Sequence, residues 1–152
     1  MEVKACLIDS KTGLGRPLRI VFDTGAYMTT IDSKTLLRAG YNISKGRDAE
    51  LAVVGRSSVP AKEILVKGLD LVDINDQLFP LGPVLVYATD MSDTETVAVL
   101  GLNIIREFET RIRFGNKTIV ELIPQYDMNQ LTEYDNFLRA ESRFGIWAPG
   151  QF

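Results

Sequence analysis

The sequence predicts an all-β domain with one or two short helices, extended at its C-terminal end by a helical segment. Three observations carry that expectation. Short β-type apolar runs recur from Val3 to about Leu122, punctuated by turn residues. The 152 residues suffice for one domain with a true core and are too few for two comfortable ones. After Pro124 the texture changes, and Leu131, Tyr134 and Leu138 recur at helical spacing. The expected division is a β domain over residues 1–123 and an extension over 124–152, a helix followed by the irregular tail "GIWAPGQF".

Along the chain, "VKACLI" and "LRIVF" are strand-like and flank the loop "DSKTGLGRP". That loop holds Gly13 and Gly15 without the GxGxxG spacing or the βαβ context of a dinucleotide site. "YMTTI" is a further strand candidate, and "DSKTLLRAG" a short helix with Asp32 or Ser33 to cap its start and Gly40 its end. "ELAVVGRSSVPAKEILVKGL" reads as two strands folded over a turn near Gly55–Ser58, and Pro60 confines this arm to an edge or an exposed ribbon. "LDLVDI" and "PVLVYA" follow as strands, the second apolar enough for burial on both faces. "VAVLGLNIIREFE" starts as a strand, breaks at Gly101 and continues as a short helix that Asn103 would cap. "RIRFGNKTIVEL" reads as a hairpin with Gly115-Asn116 in a two-residue turn. Asp127 is a candidate cap for the C-terminal helix.

The totals exclude several classes. A net charge of −3 gives no electrostatic footprint for nucleic acid. No run is apolar and long enough to span a bilayer, and "MEVKACLIDSK" lacks a signal-peptide pattern. Cys6 is the sole cysteine, which fits a reducing cytoplasm, and in its apolar strand it is expected to be a small buried residue. With zero histidines, Ser-His and Cys-His pairs and the HExxH zinc site are all unavailable. Any catalysis therefore falls to carboxylates, hydroxyls, amines and backbone groups. Asp70, Asp73 and Asp76 lack the spacing of a calcium loop and read as solvated, so no metal is expected.

Within "RIVFDTGAYMTTID" a carboxylate, Asp23, directly follows the apolar Ile20, Val21 and Phe22. By itself Asp-Thr-Gly also suits an Asx-type turn. A string of the form D-T-G-[A/S] arises by chance in roughly one chain of this size in a few hundred. Here Asp23-Thr24-Gly25-Ala26 is followed, in the right order, by Leu100-Gly101-Leu102-Asn103 inside "VAVLGLNII". At both places the chain resembles the retropepsin-like aspartic protease family, the single-domain proteases of retroviruses and their cellular and bacterial relatives.

The resemblance implies a closed β-barrel-type fold over Val3 to Leu122 and an endopeptidase with Asp23 as its catalytic residue. Thr24 would lock the two loops of a dimer together, Gly25 would permit a tight turn near substrate, and Ala26 would keep the cleft floor narrow. Leu100, Gly101 and Asn103 would brace the loop. Val54, Gly55, Arg56 and Ser57 would form a flap over bound peptide, and Tyr27 would set a bulky ring beside the motif. Peptide hydrolysis by this route needs one carboxyl as base and another as acid, two groups sharing a proton. One motif in a chain of this length implies that the second Asp comes from a second copy, a homodimer. No cofactor is needed, because the nucleophile is water. Two rival readings share the fold: a non-catalytic dimeric peptide-binding module, and a zymogen blocked by its tail, where Trp147 and Phe152 could pack on the dimer or lie in the cleft.

Overall fold

Alternation of buried and open positions sets the first two strands. In β1 (Glu2–Ile8) Val3, Ala5 and Leu7 face the core, and in β2 (Gly15–Phe22) Leu18 and Ile20 do the same. The computed structural model that displays them describes residues 1–53, 55, 57–124 and 144–147. The two strands pair antiparallel from Glu2↔Val21 to Ile8↔Gly15, so Pro17 lies within β2 opposite Cys6 rather than in the preceding loop. Cys6 is half-buried, not fully enclosed as expected, because its side chain lies on the less covered face of β1.

Asp9 closes this hairpin. Its Oδ1 accepts the N–H groups of Lys11 (2.9 Å) and Thr12 (3.0 Å), and its Oδ2 accepts Arg16 Nε at 2.8 Å. These bonds, the one from Thr12 foremost, hold the Asp9 carboxyl well below the usual carboxylate range. A carboxyl depressed on folding stabilises fully above its unfolded value of about 4 and loses that contribution as pH falls toward the folded value. Asp9→Asn is therefore expected to lower Tm most near neutrality, and thermal melts should show the gap to wild type closing below about pH 4.

β3 (Thr30–Asp32) leads into α1 (Ser33–Arg38). Asp32 occupies the N-cap position without capping; its Oδ1 instead accepts Met91 N–H at 2.9 Å. Gly40 ends the helix as expected. Its φ of +84° lets its own N–H reach Leu37 O (3.0 Å) and Tyr41 N–H reach Leu36 O (3.1 Å). A 3₁₀ turn at Ile43–Lys45 then feeds the arm, β4 (Arg47–Leu51) and β5 (Val59–Val66), paired from Arg47↔Glu63 to Leu51↔Val59.

The remaining elements are β6 (Leu69–Val72), β7 (Leu78–Pro80), β8 (Val84–Thr89), β9 (Ala98–Leu100), α2 (Leu102–Ile105), β10 (Phe108–Arg113), β11 (Ile119–Pro124) and β12 (Phe144–Trp147). The strand path runs β10-β11-β12-β1-β2-β9-β3-β8-β5-β4, with β6 attached to β1 and β7 to β6. Among the described residues this path is open at β10 and β4, so the ladder does not form the closed ring expected. Pro60 pairs with Glu50 on β4, while the β5–β8 ladder begins only at Lys62↔Ala88, so the arm projects beyond the sheet as the proline suggested. Fully buried Ile31, Leu36, Val66, Leu71, Val86 and Leu100 anchor the core. Among the described residues no helix is long and apolar enough to cross a membrane.

Three further expectations change. β8 buries one face only: Val86 and Ala88 pack inward while Leu85 keeps 38 % of its surface. The β10–β11 hairpin has its last pair at Arg113↔Ile119, so residues 114–118 form a wider loop. A primed two-residue turn needs φ > 0, and Gly115 is not among the positive-φ glycines. Residues 145–147, expected as irregular tail, belong to β12, which pairs with β11 from Ile119↔Trp147 to Leu122↔Phe144. The expected C-terminal helix with its Asp127 cap, and Phe152, lie outside the described residues.

Candidate active site

The end of β2 carries the site. β2 runs parallel to β9, with Val21↔Val99 and Phe22↔Leu100 in register, and Asp23 N–H continues the ladder to Leu100 O at 3.1 Å. The chain then turns sharply. Gly25 N–H donates to Asp23 Oδ1 at 2.8 Å and Ala26 N–H to Asp23 O at 3.2 Å. The Asx-type bond of an ordinary turn is thus present, but here it orients a carboxylate that stays exposed at the end of a core strand. A Cβ on Gly25 would stand 3.1 Å from Asp23 Oδ1, so glycine leaves the carboxyl room. Thr24 is exposed beside it, and Ala26 is half-buried.

A second segment fastens this loop from behind. Leu102 N–H donates to Ala26 O (2.8 Å) and Asn103 N–H to Tyr27 O (3.2 Å). Gly101 lies so close that a Cβ there would meet Met28 C at 2.5 Å and Thr29 N at 2.7 Å. Asn103 does not cap α2. Its Oδ1 accepts both the N–H and the hydroxyl of Thr29, each at 2.8 Å, and its Nδ2 donates to Leu85 O at 2.9 Å.

Thr29, which sequence reasoning did not single out, is the hub of these contacts. Its side chain is fully buried, donates to Asn103 and accepts Gly101 N–H at 3.0 Å. Its carbonyl takes Tyr87 N–H at 2.9 Å, tying the loop to β8. The only signal was the pair Thr29-Thr30 inside an otherwise apolar strand, and threonine is common in strands. Thr29→Val leaves the buried Gly101 N–H without an acceptor and is expected to cost about 1–3 kcal/mol in chemical denaturation, with Thr29→Ser recovering most of it.

A groove of about 800 Å³ opens over Asp23, Gly25, Ala26 and Tyr27. The arm lines it through Leu51, Val53 and Val59, and Tyr87 and Met91 line it as well. Of the residues expected at the arm's tip, Gly55 (φ +78°) and Ser57 are exposed and stand outside the groove lining, while Val54 and Arg56 lie outside the described residues. Among the described residues the arm's shanks wall the groove. A separate cavity of about 620 Å³, among Phe79, Leu81, Ile104 and Phe108, does not include Asp23. Among the described residues no three His, Cys, Asp or Glu side chains converge as metal ligands would.

Comparison with known proteins places this architecture. No protein-family model and no curated protein sequence matches the chain. Among solved structures, a retropepsin-like aspartic protease from Rickettsia conorii aligns over 80 % of this chain and 80 % of its own, with a TM-score of 0.51 and 13 % identity. The retroviral protease-like domain of Ddi1 from Leishmania major aligns over 86 % and 97 %, with a TM-score of 0.48 and 14 % identity. EIAV protease complexed with an inhibitor aligns over 70 % and 85 %, with a TM-score of 0.41 and 16 % identity. The chain has a retropepsin-like fold: mostly β, with two short helices among the described residues.

Proposed function

We propose that the protein is an aspartic endopeptidase whose active site forms when two copies bring their Asp23 carboxyls together. The observation that carries this reading is the position of Asp23. It is exposed at the floor of an 800 Å³ groove, yet its backbone continues a core ladder through Leu100. An aspartate sequestered within one chain could not meet its mate, and one on a loose loop could not hold it at catalytic distance. Thr24, exposed alongside, would reach across to the partner loop, and the β4–β5 arm would serve as the flap.

In the dimer, two carboxyls about 3 Å apart share one proton. The ionised member takes a proton from a water lying between them as that water attacks the scissile carbonyl. The protonated member donates to the carbonyl oxygen. Collapse of the tetrahedral diol breaks the C–N bond: the departing nitrogen takes the proton gained by the base, and a diol hydroxyl returns one to the other carboxylate, which restores the shared proton. Substrate would lie extended in the groove, alternate side chains entering pockets. Tyr27, 73 % exposed and on the groove wall, would equally suit a module that grips peptide without cutting it. A peptide library incubated with the dimer, read by mass spectrometry from about pH 4 to 7.5, separates the two. Cuts by the wild type support the protease. A strict monomer at high concentration, cutting nothing, removes the dyad altogether.

A further inference from the structure

We propose that the groove favours peptides that carry lysine or arginine directly beside the apolar side chain at the scissile bond, and that Glu50 and Asp90 read this positive charge. The inference rests on the peptide-groove reading above and adds a substrate class to it. The groove's walls are apolar through Met28, Leu51, Val53, Val59 and Tyr87, which suits an aliphatic or aromatic side chain. Among its described lining residues every charged side chain is a carboxylate: Asp23, Glu50, Asp90 and Asp93.

Glu50 and Asp90 stand on one seam. Glu50 faces Pro60 across the β4–β5 ladder, and Pro60 O accepts the hydroxyl of Thr89, the residue before Asp90, at 2.9 Å. Both carboxylates are exposed, and each already has local donors: Ser58 Oγ on Glu50 at 3.2 Å, and the N–H (2.9 Å) and hydroxyl of Ser92 on Asp90. Each retains capacity for another, since an ionised carboxylate accepts several hydrogen bonds. Ser92, and to a lesser degree Lys34, holds the Asp90 carboxyl below its ordinary value, so the charge persists in the mildly acidic range that a shared-proton dyad favours. In an extended peptide the side chain beside a buried apolar one faces the opposite way, so a basic neighbour would turn out of the apolar pocket toward the exposed carboxylates.

The test uses fluorescent peptide pairs identical except for Lys or Glu next to the apolar residue. Cleavage by wild type, Glu50→Gln, Asp90→Asn and the double variant is compared as kcat/KM. Each amide keeps one acceptor oxygen for its serine donor and exchanges the other for an NH2 group, so the negative charge is lost with little change of shape. Wild type is expected to prefer the Lys peptide, each variant to reduce the ratio about three- to five-fold, and added salt to shrink it. Equal cleavage of the pair, or a preference that survives in the double variant, overturns the inference and leaves the protease reading intact. Should neither peptide be cut, the same pairs are titrated by fluorescence anisotropy. Lys-selective binding that the double variant loses supports the charge reading while removing the protease; equal Kd values overturn it.

Discussion

Asp23→Asn is expected to abolish peptide cleavage, by at least about a thousand-fold, without disturbing the fold. In a homodimer the substitution removes both carboxyls at once, so no group remains to accept the proton of the attacking water or to protonate the leaving nitrogen. The amide is nearly isosteric, and its oxygen still accepts Gly25 N–H, the bond that shapes the loop at 2.8 Å. Backbone pairing of Asp23 N–H with Leu100 O is untouched. Turnover, solution mass and circular dichroism measured together give the discriminating result. Loss of turnover with an unchanged dimer and spectrum supports the dyad. Cleavage that persists in the variant belongs to another residue, and the assignment of Asp23 falls.

Gly101→Ala is expected to be the most damaging single-methyl change in the loop region, costing about 3 kcal/mol or more. Its φ of −105° is open to any residue, so the cost is steric. The added Cβ would meet Met28 C at 2.5 Å, Met28 O at 2.7 Å and Thr29 N at 2.7 Å, all backbone atoms that cannot swing aside. Relief requires pulling β9 and α2 away from the Met28–Thr29 segment, which breaks the bonds from Gly101 N–H to Thr29 and from Leu102 N–H to Ala26. Gly115→Ala is the matched control, with only Lys117 O nearby at 3.9 Å, and should fall within about 0.5 kcal/mol of wild type. Denaturant midpoints decide it. Similar midpoints for the two variants would mean that the loop yields cheaply.

What the sequence made legible was chemistry with unusual spelling. Asp23-Thr24-Gly25-Ala26 after an apolar run, and Leu100-Gly101-Leu102-Asn103 further on, led to two segments that the fold brings into contact 74 residues apart at Thr29 and Asn103. Residues whose role depends on a distant partner were opaque. Asn103 reads as a helix cap, but it lies inside α2, and the Thr29 and Leu85 groups take its side chain. Asp32 was diverted in the same way by Met91 N–H. Thr29 itself resembles any β-branched strand residue until its burial is known. Glu50 and Asp90 come from segments that only the β4–β5–β8 pairing brings to one groove, and no local pattern marks such a meeting. β7 was missed because Leu78-Phe79-Pro80 is short and its partner, β6, supplies the reason for its extension.

The small strand β12 bears on how the C-terminal region can be handled. It lies between β11 and β1, touching the latter through Glu2↔Trp147, so it is an interior member of the path. Deleting everything beyond Pro124 would strip hydrogen-bond partners from two strands together, and bare edges of that kind recruit neighbouring chains. A deletion mutant that precipitates would then say nothing about whether the tail restrains the groove. A single nick between 125 and 143, which severs the connection while Phe144–Trp147 stays seated, is the manipulation that separates release of a tail from collapse of a sheet.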